Sequence, residues 1–256
     1  SRPNVTADSA ALALKSGNAI VLRGGKEAVN SNVALAEILR EAVIEEGFPE
    51  GSISLIQNID REGVKILSQM VEYVDVIIPR GGSGLIQAVV EHAKVPVIFH
   101  DKGLCHTFID ESADIDMAKN ICINAKVQRP GVCNAMETLL VHEKIAAKFL
   151  PIIAAEYIKA GVELRGCENT LKIIKDIEAA TEEDWSTEYL ELILSVKIVK
   201  NIEEAVTHIN RYGSKHSEAI VTNSYENSKL FTTAVDSATV YVNASTRFTD
   251  GISFGF

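Results

Sequence analysis

The amino-acid sequence predicts an α/β protein made of two doubly wound domains. Short apolar runs alternate along the chain with longer stretches whose apolar residues recur at helical spacing. Such alternation is typical of parallel sheets with helices on both faces. The chain has 256 residues, 46% of them hydrophobic, which is enough for two buried cores. The pattern restarts near residues 100–104, so we expect domains at 1–101 and 102–256.

The first domain is predicted to begin with a strand at 19–22 and a helix at 32–46. Leu35, Ile38 and Leu39 recur at helical spacing, and Gly47-Phe48-Pro49 ends this helix. The remaining elements of this half are predicted as strands at 53–57, 74–78 and 95–99 and helices at 62–71 and 84–93.

The second domain is predicted to begin with a helix at 113–127, whose first turn carries Asp114 and Asp116. Further strands are predicted at 138–142, 192–199, 218–222 and 238–243, and further helices at 144–160, 202–211 and 226–234. The segment 163–188 is poorly periodic and is predicted to form loops.

Charge and cysteine content exclude several classes of function. The formal net charge of -10 disfavours nonspecific binding to nucleic acid or anionic membranes, although it permits a local basic pocket. We find no apolar run of about 18 residues and no signal-peptide core, so we expect no membrane partner. The four cysteines show no zinc-site spacing, so we expect no metal, and they suit reduced thiols in the cytoplasm.

The segment Gln128-Arg129-Pro130-Gly131-Val132-Cys133-Asn134-Ala135 is the strongest local signal. Pro130 and Gly131 form a turn just before Cys133, which places its thiol on a loop between a helix and a strand. Arg129 and the N–H groups of such a turn favour a thiolate, and the same N–H groups can hold an oxyanion. The alternative is an inert, buried cysteine.

Two glycine-rich segments follow predicted strands: Arg80-Gly81-Gly82-Ser83-Gly84 and Arg23-Gly24-Gly25-Lys26. The first opens a helix, whose N-terminus favours a phosphate, but it lacks the full dinucleotide-binding spacing. The second sets two cations around two glycines at the carboxyl end of a strand, which also suits a phosphate. Each segment can equally be an ordinary structural turn.

A polar segment at 243–251 follows the last predicted strand. Ser245, Thr246 and Arg247 together offer hydroxyl groups and a guanidinium that could hold a substrate carboxylate. An ordinary solvated loop is the alternative. His216, in another polar loop, is equally ambiguous between a solvated and a functional role.

Together these segments resemble the gamma-glutamyl phosphate reductases, a branch of the aldehyde dehydrogenase superfamily, and also the reductase half of the fused pyrroline-5-carboxylate synthases. The resemblance is carried by residues 1–8, 15–18, 22–28, 74–84, 128–135, 212–222 and 240–251. It implies an aldehyde dehydrogenase-like fold with a Rossmann-like NADP-binding domain at 1–101 and a catalytic domain at 102–256. Family members are longer, so it also implies truncation at both ends.

The resemblance implies NADPH-dependent reduction of L-glutamyl 5-phosphate to L-glutamate 5-semialdehyde and phosphate, the second step of proline biosynthesis. Cys133 matches the nucleophile that forms a cysteinyl thioester, and Asn4 matches the asparagine of the oxyanion hole. Glu191 falls where the superfamily holds the nicotinamide ribose. Asp101 lies near the position of the base in hydrolytic relatives, which this reaction does not require. Arg23 and Lys26 suit the 2′-phosphate of NADPH.

The substrate is anionic at both ends, so cations are expected to converge on the nucleophile. We expect Arg129 to bind the phosphate end, and Ser245, Thr246 and Arg247 to bind the amino-acid end. The alternative for Arg129 is a cap on the preceding helix, where a cation offsets the dipole of the carbonyl groups. Asn134, next to the nucleophile, is also expected to contact substrate.

The resemblance further implies a homo-oligomer when full length, association with glutamate 5-kinase, and a cytoplasmic location, or a mitochondrial one for a fused eukaryotic synthase. Two alternatives are open. One is another oxidoreductase of the aldehyde dehydrogenase superfamily, which would use Asp101 as a base. The other is a catalytically silent nucleotide-binding fragment.

Overall fold

The computed structural model describes residues 3–60, 62–99 and 102–250, without the side chain of Ser83. The chain divides into two compact units, 1–100 and 101–256. This division falls one residue before the predicted boundary. The assignment of a cofactor role to the first domain and a catalytic role to the second stays a prediction.

The first unit contains a small parallel sheet, and helices precede and follow its strands along the sequence. Its elements are α1 (Asn4–Lys15), β1 (Ile20–Arg23), α2 (Val29–Glu45), β2 (Ile53–Ile56), α3 (Glu62–Leu67) and α4 (Ser83–His92). β1 and β2 pair in parallel, with Ile20 opposite Ile53. The four predicted elements at 19–22, 32–46, 53–57 and 84–93 are therefore confirmed to within a few residues, whereas α1 was not predicted.

The predicted strands at 74–78 and 95–99 are wrong as strands. Ile77 and Val97 form only an isolated parallel bridge. Pro79 and Pro96 have no N–H group, so neither segment can extend a regular ladder.

The predicted helix at 62–71 is too long, because α3 ends at Leu67. The Ser68 hydroxyl donates to the Lys65 carbonyl at 2.8 Å, and the Ser68 carbonyl accepts the N–H groups of Lys94 and Val95. The Ser68 N–H still donates to the Val64 carbonyl, but its own carbonyl bonds to Lys94 and Val95, so the helical hydrogen-bond pattern does not continue beyond it.

The second unit is a parallel seven-stranded sheet with the order β6-β5-β7-β4-β3-β8-β9. Its strands are β3 (Cys105–Ile109), β4 (Met136–His142), β5 (Glu163–Gly166), β6 (Glu178–Ala179), β7 (Ile193–Val199), β8 (Ser217–Val221) and β9 (Thr239–Val242). Its helices are α5 (Ile115–Val127), α6 (Glu143–Lys159), α7 (Glu168–Ile173), α8 (Ile202–Tyr212) and α9 (Tyr225–Ala234). The predicted α/β fold is confirmed.

Helices cover both faces of this sheet. Successive residues of a strand point to opposite faces, and in β4 Leu139 joins one apolar cluster while Leu140 joins another. Phe149 of α6 packs in the first cluster, and Phe231 of α9 stacks on Phe108 in the second. The unit is therefore doubly wound.

The prediction of loops at 163–188 is wrong, because β5, α7 and β6 lie there. β5 carries Glu163 and Arg165, whose charges interrupt the apolar pattern from which a strand would be predicted. The Arg165 guanidinium pairs with Glu163 and with Asp184, at 2.7 Å in both cases. β3 was also missed, since His106 and Thr107 interrupt its apolar run although both are fully buried.

Candidate active site

Four loops meet at one edge of the second sheet. The strands β7, β4, β3 and β8 are consecutive neighbours and run parallel, so the loops that precede them lie at the same amino-terminal edge. These loops are 187–192, 128–135, 102–104 and 213–216. Open α/β sheets usually bind ligands at the opposite, carboxyl edge, so the strand pattern alone does not locate this site.

Cys133 lies in the loop between α5 and β4 as a half-buried thiol outside any disulfide. The N–H of Ala135 donates to the Val132 carbonyl at 3.0 Å and closes a turn around it. Gly103 presses on the backbone of Cys133: a Cβ atom at Gly103 would lie 2.0 Å from the Cys133 oxygen. This close approach requires glycine at position 103.

Cys105 lies directly behind the nucleophile candidate. Its Sγ lies 3.2 Å from the Cys133 carbonyl oxygen, as a donor, and 4.0 Å from His216 Nδ1. Burial raises the pKa of the Cys105 thiol well above its usual range, and the charge of Glu218 adds to the rise. Burial also raises the pKa of Cys122. Neither thiol therefore competes with Cys133 as a nucleophile.

Two arginines lie beside the Cys133 loop. Arg247 donates from Nε to Gln128 Oε1 at 3.1 Å and from a terminal nitrogen to Asn134 Oδ1. Burial and the neighbouring charge of Arg129 lower the pKa of Arg247, while Cys133 and Cys105 oppose this shift. The ion pairs in the described part of the chain include neither arginine. Because both acceptors of Arg247 are neutral amides, its positive charge is available to an anion.

The other predicted substrate-binding side chains hold the segment 245–249 in place. Asn134 Nδ2 donates to the Thr249 carbonyl at 2.8 Å, and Thr246 Oγ1 donates to the Asn134 carbonyl at 2.7 Å. Ser245 Oγ accepts the N–H of Arg247 at 3.2 Å. These groups therefore position Arg247 beside Cys133. Direct contact of Asn134, Ser245 and Thr246 with substrate stays a prediction.

Sequence reasoning missed three charged residues at this edge. Lys126 and Glu137 have fully buried side chains and pair at 2.5 Å, and Glu188 Oε1 accepts the Gly103 N–H at 2.8 Å. The available signal was position: Lys126 follows Cys122 by one helical turn, and Glu137 directly precedes the predicted strand at 138–142. Glu191, predicted to hold the ribose, is exposed in the loop before β7.

The predicted phosphate segment 23–26 connects the end of β1 to a short 3₁₀-helix. The Arg23 guanidinium donates to the carbonyls of Ile59 at 2.5 Å and Asp60 at 3.0 Å. A Cβ atom at Gly24 would lie 2.0 Å from the Asn32 amide nitrogen, so glycine lets the backbone approach α2. Gly25 precedes the short 3₁₀-helix that begins at Lys26, whose side chain is exposed. Arg23 thus has a structural contact, and Lys26 presents the freer cation.

The predicted phosphate segment 80–84 opens α4. Gly82 precedes the first helical turn and offers no side-chain cap, so that turn's N–H groups suit a phosphate. Arg80 and Gly81 are exposed, and the side chain of Ser83 lies outside the described residues. The residues present therefore fit the phosphates of a dinucleotide.

Two further predicted residues cannot be assigned to the site by geometry. Asn4 begins α1 and donates from Nδ2 to Asp8 Oδ2 at 3.2 Å. It belongs to the first unit and Cys133 to the second, so their pairing in an oxyanion hole stays a prediction. Asp101 lies outside the described residues.

Within residues 3–60, 62–99 and 102–250, no three His, Cys, Asp or Glu side chains are grouped so that they could hold a metal ion. In the same part of the chain, no helix has the length and apolar character needed to cross a membrane.

Comparison with known proteins gives consistent results. Residues 3–168 match the model of the aldehyde dehydrogenase family. The gamma-glutamyl phosphate reductase of Caldanaerobacter subterraneus subsp. tengcongensis is 59% identical over 256 residues, which cover 100% of this chain and 62% of that protein. The chain thus spans about three fifths of the length of the curated relatives it matches.

Solved structures agree. The crystal structure of gamma-glutamyl phosphate reductase from Thermotoga maritima matches with a TM-score of 0.97 and 55% identity, over 100% of this chain and 62% of that one. An acetylating aldehyde dehydrogenase from Geobacillus thermoglucosidasius matches with a TM-score of 0.73 and 24% identity, over 96% of this chain and 63% of that one. The latter likeness shows the fold alone.

Proposed function

Since the chain belongs to the aldehyde dehydrogenase family, we propose that it carries out NADPH-dependent reduction of L-glutamyl 5-phosphate to L-glutamate 5-semialdehyde and phosphate, the second step of proline biosynthesis. One observation carries the proposal. A half-buried thiol, Cys133, lies beside two arginines that no carboxylate of the described residues neutralises. The names of the similar reductases support it.

In this mechanism the Cys133 thiolate attacks the carbonyl carbon of the acyl phosphate. The Cys133 N–H and the Asn4 amide hold the developing oxyanion. The bond from that carbon to the phosphate oxygen breaks, phosphate leaves, and a thioester remains on Cys133. When bound, NADPH supplies the hydride that reduces the thioester. Collapse of the hemithioacetal breaks the carbon–sulfur bond, releases the aldehyde and returns the thiol.

The arginines divide the substrate between them in this proposal. Arg129 binds the phosphate end, and Arg247, held by Asn134 beside Ser245 and Thr246, binds the amino-acid end. Charge-assisted bonds of this kind are roughly twice as strong as neutral ones. An arginine held by neutral amides is ready for such a bond without first leaving a carboxylate.

The family implies a nicotinamide cofactor, and we place it as NADPH. Lys26 and Arg23 favour the 2′-phosphate, since cations suit a phosphate where NAD-preferring proteins need an acceptor. Gly24 and Gly25 would let the backbone of this segment approach the phosphate closely. The segment Arg80, Gly81, Gly82 and Ser83 at the start of α4 suits the pyrophosphate, and Glu191 is proposed for the nicotinamide ribose.

We also propose partners and a location for the protein. Association with glutamate 5-kinase would pass a reactive acyl phosphate directly to Cys133, and we place the protein in the cytoplasm as part of a homo-oligomer. The four cysteines, all within the described residues, form no disulfide, which fits a reducing compartment.

The decisive assay runs the reaction in reverse, with glutamate semialdehyde, phosphate and NADP. The proposal expects NADPH to form only when both semialdehyde and phosphate are present. Turnover that ignores phosphate would indicate another aldehyde dehydrogenase. Binding of NADP without turnover would indicate a silent nucleotide-binding fragment.

A further inference from the structure

A buried ion pair brackets the loop that carries Cys133. Lys126 lies in the last turn of α5, before the loop, and Glu137 is the second residue of β4, after it. Their side chains are 0% exposed, and Nζ lies 2.5 Å from Oε2. Burial raises the pKa of Glu137 to about 7, and the Lys126 charge opposes that rise. The ammonium therefore helps to keep a carboxylate in an apolar setting.

The second oxygen of this carboxylate reaches a different loop. Glu137 Oε1 accepts the backbone N–H of Leu190 at 3.2 Å. Leu190 has a φ of 58°, a conformation that a branched residue adopts only when its surroundings enforce it. Glu137 is thus the buried acceptor that satisfies the N–H group of a strained residue.

Other contacts join the same two loops. Glu188 Oε1 accepts the N–H of Gly103, which packs on the Cys133 backbone. The ammonium of Lys126 lies 5.9 Å from the centroid of the Tyr189 ring. A Cβ atom at Gly131 would lie 3.5 Å from the Leu190 carbonyl oxygen. The segment 188–191 is therefore fastened to the nucleophile loop with the Glu137 carboxylate between them.

We propose that Glu137 is a positioning residue, which fixes the segment 188–191 against the Cys133 loop through the N–H of Leu190. This inference rests on the proposed function, because that segment carries Glu191, proposed for the ribose. A buried ion pair is weak evidence of stability, since a well-packed apolar pair often serves as well. An apolar pair would offer no acceptor to Leu190.

Two double variants isolate this acceptor. Lys126→Met with Glu137→Gln removes both charges but keeps an amide oxygen for Leu190. Lys126→Met with Glu137→Leu removes both charges and the acceptor. Neither leaves a single buried charge behind, which would itself be strongly destabilising. Arg40→Met with Glu50→Leu is the matched control, because it removes an ion pair of the first unit whose side chains are 51% and 75% exposed.

Amide hydrogen exchange of residues 187–191 is the first measurement. The Glu137→Leu double variant should exchange at Leu190 about tenfold faster or more, since a hydrogen bond to a charged or amide acceptor is lost. The Glu137→Gln double variant and the exposed-pair control should stay near the wild type. Equal exchange in the two buried-pair variants would overturn the proposal.

Kinetics supply a second reading. In the reverse assay, the Glu137→Leu double variant should lose about tenfold or more in kcat at an unchanged KM for semialdehyde, with recovery in the Glu137→Gln double variant. Loss in both variants alike would assign Glu137 a merely structural role.

The wild-type protein provides a test that needs no variant. Because the Glu137 carboxylate accepts the Leu190 N–H, this amide should exchange slowly even though the residue is 46% exposed. Exchange as fast as in unbonded surface loops would overturn the proposal even if the double variants failed to fold. Amide exchange measures only this hydrogen bond and not catalysis. A slowly exchanging Leu190 amide in a protein without phosphate-dependent turnover would therefore reject the proposed function and leave this inference standing.

Discussion

At the scale of single residues, the four cysteines differ by burial and by neighbours. We expect Cys133→Ser to lower turnover by about 10³-fold or more, because a serine hydroxyl is a far poorer nucleophile than a thiolate. Cys105→Ser, Cys122→Ser and Cys167→Ser should keep substantial activity in the reverse assay. Cys105→Ser is the strictest control, since its Sγ contacts the Cys133 carbonyl. Turnover retained by Cys133→Ser would remove it as nucleophile.

Substitutions of Arg129 and Arg247 should raise the KM for different substrates. Arg129→Ala should raise the KM for phosphate, and Arg247→Ala the KM for semialdehyde, each by about tenfold or more, because a hydrogen bond to a charged group contributes roughly 1.5–3 kcal/mol. Arg211→Ala, whose side chain is 67% exposed, is the control. Lower melting temperatures with unchanged kinetics would show that both arginines are structural.

Substitutions of Lys26 and Arg23, the two proposed cofactor-binding cations, should have different effects on cofactor affinity. Lys26→Glu should weaken NADPH binding by about tenfold or more while leaving NADH binding nearly unchanged, since only NADPH carries the 2′-phosphate. Arg23→Glu should weaken both, because Arg23 also holds the carbonyls of Ile59 and Asp60. Titration by fluorescence or calorimetry measures both affinities. Equal losses of both cofactors with Lys26→Glu would show that it does not read the phosphate.

At the scale of secondary-structure elements, the start of β3 and the loop before β4 are packed as one piece. Gly103→Ala should destabilise the protein by more than about 2 kcal/mol and slow turnover, because its Cβ would overlap the Cys133 backbone. Backbone atoms cannot move aside as the end of a flexible side chain can. Gly51→Ala, with open space around its Cβ, should change little. Denaturant unfolding measures both, and equal stabilities would show that the loop gives way.

Sequence reasoning succeeded where local pattern decides the element. The apolar run of β4 and the helical spacing of α6 were both visible, and Pro130-Gly131 indicated the loop that carries Cys133. It failed where a distant partner stabilises the element. His106 in β3 is buried because Glu218 of β8 accepts from it at 3.0 Å, 112 residues away. The pairing of Arg247 with Asn134 across 113 residues is equally invisible to any local pattern.

At the scale of the whole molecule, buried ionisable groups make stability depend on pH. Burial lowers the pKa of His208 to about 2, and the charges of His106, Lys197 and Arg211 add to the shift. The folded protein keeps this ring neutral, whereas the unfolded chain protonates it near pH 6.5. Its contribution is therefore complete above pH 6.5 and is lost as the pH falls towards 2.

The variant His208→Asn, which keeps an acceptor for Lys197, should reduce this loss. Between pH 6.5 and 4.5 the wild type should lose about 2–3 kcal/mol more of its unfolding free energy than the variant, at about 1.4 kcal/mol per pH unit. Urea unfolding across this range measures the difference. Parallel stability curves for the two proteins would mean that His208 is protonated in the folded state.

The two half-buried thiols give the second unit a pair of attachment points for reporter groups. Cys133 precedes β4 and Cys167 follows β5, so in a parallel sheet they lie at opposite edges. Cys105 and Cys122 are fully buried and out of reach of reagents. Dyes or spin labels on the natural cysteines would thus span one rigid sheet, one beside the proposed chemistry and one far from it. Blocking Cys133 with substrate would direct a label to Cys167 alone.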